Sequence, residues 1–218
     1  GYDYFNGDND PMDVDGHGTH VSGIVAGEQP IKGVAPNASV VALKTLEGGT
    51  GTFSDSTKGI EWCTNHKEEY NISAITMSLG TTTTYSSYCD SDSVVFNQMS
   101  TAVEDARDKN ISVMVATGNE DDYSGISSPA CLEPVMRVTA TNDDDVYASF
   151  ANRGSFFNDT FTAPGVAIDS LGLGSGTTSK SGTSMSTPHV AGSVALLQSY
   201  LEDKNGEQNQ SEIYKKLE

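Results

Sequence analysis

The sequence is short of positive charge: 12 Lys and Arg stand against 30 Asp and Glu, a formal net charge of −18 over 218 residues. Nucleic acid, which calls for a cationic surface, is excluded as a partner. Long apolar runs are missing as well. None approaches the roughly 20 residues that cross a bilayer, so no membrane span is expected, and nothing at Gly1 reads as a signal peptide. Cysteine is scarce. Cys63, Cys89 and Cys131 leave one over after any pairing and none lies in CxxC, which argues against a zinc site. No repeat, linker or composition shift divides the chain, so one domain over residues 1–218 is expected.

The residues that are present suit a globular α/β domain with many turns: 36% are hydrophobic and 22 are Gly. The acidic excess is partly local, in Asp8–Asp15, Glu120–Asp122 and Asp143–Asp145. Such runs read as solvated loops, with cation binding as the sharper alternative. Five sequons, at Asn37, Asn71, Asn110, Asn158 and Asn209, would permit glycosylation in a secretory setting.

Apolar spacing predicts helices over 17–26, 55–66 and 93–109, and a further helix carried inward by the run Val190–Leu197. Short continuous apolar runs predict buried strands at 40–43, 72–79, 111–116, 135–140 and 146–150, and another at 166–170. Strands alternating with helices imply a parallel sheet covered on both faces. In such sheets the chemistry sits at the carboxyl ends of the strands.

Three segments carry that chemistry. In Gly182-Thr183-Ser184-Met185-Ser186-Thr187-Pro188 a serine sits on a turn before a helix, where free N–H groups and the dipole favour developing negative charge. Ser184 is there either a nucleophile or a simple cap. Asp15-Gly16-His17-Gly18-Thr19-His20 places His17 at a helix start between glycines, as a general base requires. His20 reads as a hydrogen-bonded core residue, and the pair lacks the Glu and third ligand of a zinc motif. Ala116-Thr117-Gly118-Asn119 ends a strand in an amide, an oxyanion donor or an ordinary turn residue. A lipase-type elbow is excluded, because residues 182–186 lack the second Gly of GxSxG.

In this order, GHGTHVSG, ATGN and SGTSMSTPHVAG resemble the subtilisin family of serine proteases. The resemblance extends along the chain through Gly33-Val34-Ala35-Pro36, Met77-Ser78-Leu79-Gly80 and Ala163-Pro164-Gly165-Val166. It implies a three-layer αβα fold with a mostly parallel sheet, and a serine endopeptidase working through an acyl-enzyme. His17 is then the general base, Ser184 the nucleophile and Asn119 the oxyanion donor. Ser78, Leu79 and Gly80 match the edge that pairs with extended substrate. Thr117 and Gly118 match one wall of the primary specificity pocket, and Gly125–Pro129 the other, with Ser127 near its floor. A small floor residue with no charge nearby implies preference for large apolar or aromatic side chains.

The resemblance also implies no cofactor for catalysis, and a structural Ca²⁺ at Asp3, Asn6, Asp8 and Asp10, for which a solvated acidic turn is the alternative. It implies a Cys89–Cys131 disulfide with Cys63 as a buried free thiol. Polypeptide substrates, an inhibitory pro-segment, a monomer and a secreted or extracellular setting follow from it too. The family's chain order is Asp, His, Ser. None of Asp3, Asp8, Asp10, Asp13 or Asp15 has the family's strand context, so the triad Asp is expected upstream. The chain is then expected to be a catalytic-domain fragment truncated at the N-terminus and at the C-terminus. The alternative is a non-catalytic homologue that keeps the fold as a binding or structural module.

Overall fold

In chain order, the computed structural model, which describes residues 1–157, 159–205 and 210–217, begins with β1 (Tyr2–Asp3), an acidic loop and α1 (His17–Ala26). β2 (Leu43–Lys44) returns to pair in parallel with β1, and a hairpin of β3 (Leu46–Glu47) and β4 (Thr50–Gly51) leads into α2 (Phe53–Asn65) and the short α3 (Lys67–Tyr70). Then come β5 (Ala74–Met77), β6 (Thr84–Tyr85), α4 (Val94–Asp108), β7 (Ser112–Ala116), β8 (Ile126–Ser127) and β9 (Met136–Thr141). β10 (Phe161–Pro164), β11 (Ile168–Leu171), β12 (Thr177–Lys180), α5 (Thr183–Asn205) and α6 (Gln210–Leu217) complete the order. The sequons at Asn158 and Asn209 lie outside the described residues.

The central sheet has four parallel strands in the order β10-β9-β7-β5. β7 shows why the layers form. All five of its residues are buried, and alternate side chains point to opposite faces. Val113 and Val115 join Ile60 of α2 and Phe96, Met99 and Val103 of α4 on one side. Met114 joins Met136, Val138 and the Val190, Ala191, Val194 and Leu201 face of α5 on the other. The sheet is therefore sandwiched between helices, as the strand–helix alternation implies.

The helix starts follow capping chemistry. Ser93 accepts from the Phe96 amide ahead of α4, and Thr52 accepts from the Asp55 amide, which opens α2 at Phe53, two residues before the start read from the apolar pattern. Other boundaries differ as well. Residues 146–150 are not a strand: only Tyr147 bridges to Thr141, because Asn142 closes a turn by accepting from the Asp144 and Val146 amides. Of 40–43 only Leu43 is in a strand, and the sheet's edge β10 has no counterpart in the expected strands. The loop expected from Gly80 to Asp92 contains β6, which pairs antiparallel with β8.

Candidate active site

Ser184 is the second residue of α5, and Pro188 lies inside the same helix. A proline has no N–H, so the carbonyl four residues earlier loses its helical partner. That carbonyl belongs to Ser184, and the Ser78 hydroxyl donates to it at 2.8 Å. The loop after β5 thus repairs the helix at the very residue that carries the candidate nucleophile hydroxyl. The Ser184 hydroxyl itself donates to the Ser78 carbonyl at 3.4 Å.

His17 is the first residue of α1, behind Gly16 at φ 83, a left-handed conformation that glycine adopts without strain. Asp13 builds this turn. Its carboxylate accepts from the amides of Asp15, Gly16 and Thr19 and from the Thr19 hydroxyl. Partial burial pushes the Asp13 carboxyl up, but those donors outweigh it and hold it down at about 2.

The His17 ring places Nε2 3.0 Å from the Ser78 carbonyl oxygen. A carbonyl only accepts, so in this contact Nε2 carries the proton. His17 and Ser184 therefore converge on one oxygen instead of on each other. Among the described residues no carboxylate bonds to the His17 ring: Asp13 is occupied by the turn, and Asp15 accepts from the His17 amide. His20 is fully buried, with Nε2 at 3.0 and 3.1 Å from the Ile168 and Thr178 carbonyls, so it anchors the β11–β12 hairpin and does not face His17 as a metal pair. Burial holds its pKa below the ordinary value.

Asn119 follows β7. Its Oδ1 accepts from the Thr183 amide at 2.8 Å and from the Thr183 hydroxyl at 3.2 Å, which fixes the orientation of the amide and leaves Nδ2 free to donate. The Thr183 hydroxyl in turn accepts from the Gly118 amide at 3.2 Å. Asn119 is thereby latched to the first turn of the helix that bears Ser184.

Behind it lies a network that sequence reasoning missed. Asn152, fully buried, donates from Nδ2 to the Thr117 carbonyl, to Glu120 Oε2 at 2.6 Å and to Ser127 Oγ at 3.2 Å. Its Oδ1 accepts from the Glu120 and Asp122 amides. Glu120 Oε2 also accepts from the Ser127 hydroxyl and the Asn119 amide, both at 2.9 Å. The expected pocket walls do meet. Gly80 packs on Ser127 and Ser128, the Thr81 amide donates to the Ser128 carbonyl, and the Ser127 amide donates to Thr117. Gly118, at φ 103, has no room for a side chain: a Cβ would lie 2.6 Å or less from Ser127 Oγ, Asn152 Nδ2 and Glu120 Oε2. The expectation of no charge near the floor is thus corrected. Glu120 stands against it, brought there by Asn152, 32 residues away in the chain.

Cys89 and Cys131 form a disulfide with Cα atoms 5.5 Å apart, tying the loop after Gly80 to the Ser127 wall. Cys63 is a buried free thiol whose pKa burial pushes up to about 12. The residues expected to hold Ca²⁺ are engaged in local contacts. Asp3 pairs with Lys44 at 3.1 Å and accepts from Asn6, while Asp8 and Asp10 accept from the amides of Asp10 and Met12. Among the described residues no three His, Cys, Asp or Glu side chains gather as a metal requires. Lys44 thus pairs with Asp3, the buried one of the three acids.

A parallel-sheet protein of three layers, with His, Asn and Ser gathered at the strand ends, is the class these features define. The profile of the subtilase family, peptidase S8, matches residues 1–217. A thermophilic serine proteinase of Bacillus sp. strain AK1 is 39% identical over 204 residues, 91% of this chain and 46% of that protein. Subtilisin-like protease 3 of Arthroderma benhamiae is 38% identical over 195 residues, 87% of this chain and 45% of its own length. Among solved structures, a cold-adapted subtilisin-like serine proteinase matches with a TM-score of 0.78 and 33% identity, covering 99% of this chain and 71% of that one. The prenylagaramide maturation protease PagA matches with a TM-score of 0.81 and 25% identity, covering 94% and 72%. The chain belongs to the subtilase family. It spans about half the length of the curated relatives it matches.

Proposed function

We propose that the protein carrying this chain is a serine endopeptidase in which Ser184 attacks the peptide carbonyl. His17 takes the Ser184 proton as the bond forms and returns it to the leaving amine. The oxyanion is held by Asn119 Nδ2 and the Ser184 amide at the positive end of α5. Water then releases the acyl group by the same route. The observation that carries this reading is the shared acceptor: His17 Nε2 and Ser184 Oγ lie 3.0 and 3.4 Å from the Ser78 oxygen. For catalysis His17 must leave that carbonyl and bare Nε2 toward Ser184. A carboxylate accepting from Nδ1–H would impose that tautomer.

Ser78–Gly80 is the edge proposed to receive an extended polypeptide substrate, or an inhibitory pro-segment lying the same way. The Cys89–Cys131 disulfide supports a secreted, oxidising setting, and among the described residues no helix is long and apolar enough to cross a membrane.

A second reading, a non-catalytic homologue used as a binding module, is favoured by one observation: His17 donates to a backbone carbonyl and no described carboxylate orients it. Peptide hydrolysis by the full-length protein separates the two. Under the peptidase reading Ser184→Ala and His17→Ala each lower kcat/KM by about 10³-fold or more, and Asn119→Ala by about 10²–10³-fold. No hydrolysis, or hydrolysis indifferent to Ser184→Ala, favours the binding module.

A further inference from the structure

On the flank formed by β1 and α2, Tyr2, Tyr4, Gly7, Lys58 and Trp62 line a groove of about 430 Å³ that shares no residue with the site around Ser184. Tyr2 and Tyr4 lie two residues apart on extended chain and therefore on one face. Their rings meet at an angle, with centroids 4.8 Å apart and planes at 61°, which makes a wedge and not a flat platform. Lys58 and Trp62, four residues apart on α2, face the same way. The indole is braced: His66 stacks on it at 4.2 Å, and the His66 ring donates from Nδ1 to the Trp62 carbonyl at 2.9 Å. Gly7, at φ 75, keeps a further side open, with no atom within 4 Å of where a Cβ would stand.

The polar atoms of this groove are donors. Trp62 Nε1 and Lys58 Nζ only donate, and the Tyr2 and Tyr4 hydroxyls can donate. Among the described residues none hydrogen-bonds that indole N–H or those two hydroxyls. Lys58 reaches only Asp55, at 2.8 Å in an exposed pair, which holds it weakly. No carboxylate lines the groove. A sugar, whose hydroxyls donate as well as accept, would find acceptors only in the phenols. A polyproline II segment fits better: its prolines lack N–H, its carbonyls stand bare, and its rings slot between angled aromatics. We propose that this groove binds a proline-rich segment of another polypeptide in the polyproline II conformation. The prolines of this sequence nowhere recur at the three-residue spacing of such a helix, so these residues do not supply the occupant. The proposal is independent of the peptidase reading.

The test is titration calorimetry of acetylated decaproline amide into the full-length Ser184→Ala protein, with an acetylated glycine–serine peptide amide of equal length and cellopentaose as controls. Decaproline is expected to bind saturably and about tenfold or more tighter than either control, since its conformation is set in advance. Trp62→Phe keeps a ring and loses the N–H, and should weaken binding by about threefold or more. Tyr2→Ala opens the wedge and should weaken it by about tenfold or more. A readout without substitution in the groove is the Trp62 indole N–H resonance, which decaproline shifts and the glycine–serine peptide leaves in place. No saturable decaproline binding overturns the proposal, as does a control that binds as tightly. So does binding that either variant, shown folded by circular dichroism, leaves unchanged, or binding that leaves the indole resonance unmoved. Failure of the peptidase reading appears elsewhere, as absence of hydrolysis by the unsubstituted protein, and leaves this comparison intact.

Discussion

Pro188 leaves the Ser184 carbonyl without a helical partner, and Ser78 supplies one from the loop after β5. A single hydroxyl therefore couples the loop after β5 to the turn that presents the proposed nucleophile. Ser78→Ala should cost about 1–2 kcal/mol of stability, since the half-buried carbonyl would be left unpaired, and denaturant melting of the two proteins measures it. A loss within error of zero would mean that water replaces the hydroxyl. At this scale the sequence was readable only where function is contiguous. His17, Asn119 and Ser184 each lie in a short glycine-containing run whose local chemistry marks them. Glu120 and Asn152 do not: one follows Asn119 in an acidic stretch, the other precedes Arg153 and Gly154 like an ordinary turn residue. Only the packing of two loops beside β7 makes them one network.

At the scale of elements, the start of α1 depends on the Asp13 turn. The Asp13 carboxyl is lowered from its ordinary value of 3.8 to about 2, so the ionised form favours the fold. Its contribution is fully present above about pH 4 and is lost as pH falls through about 2. Comparing melting temperatures of wild type and Asp13→Asn between about pH 6 and pH 2 should show a wild-type advantage that narrows on acidification. An advantage constant across that range would contradict the assignment. Element boundaries were legible where the apolar spacing is sustained, as in α1, and in α4, whose start Ser93 also caps. They failed where a run is short. Val146–Phe150 has strand-like residues, but the Asn142 side chain closes the preceding segment into a turn. β10 could not be seen because Phe161–Pro164 ends in a proline, which is tolerated there as the last residue of an edge strand. α5 begins ahead of its proline, at Thr183, because tertiary hydrogen bonds from Ser78 and to Asn119 offset the break.

At the scale of the molecule, each proposed catalytic group is delivered by a different part of one parallel architecture. Ser78 and Asn119 follow the neighbouring strands β5 and β7, and His17 and Ser184 open the helices α1 and α5. The meeting of His17 and Ser184 at the Ser78 carbonyl, with Asn119 latched to Thr183 beside them, is a property of the fold as a whole. The central claim is that Ser184 is a nucleophile activated by His17. Its most direct test is treatment of the full-length protein with a fluorophosphonate, followed by mass-spectrometric mapping of the adduct. The account predicts phosphonylation on Ser184, slowed by about 10³-fold or more in His17→Ala. An unmodified Ser184 in folded protein, or labelling at the same rate without His17, would contradict it.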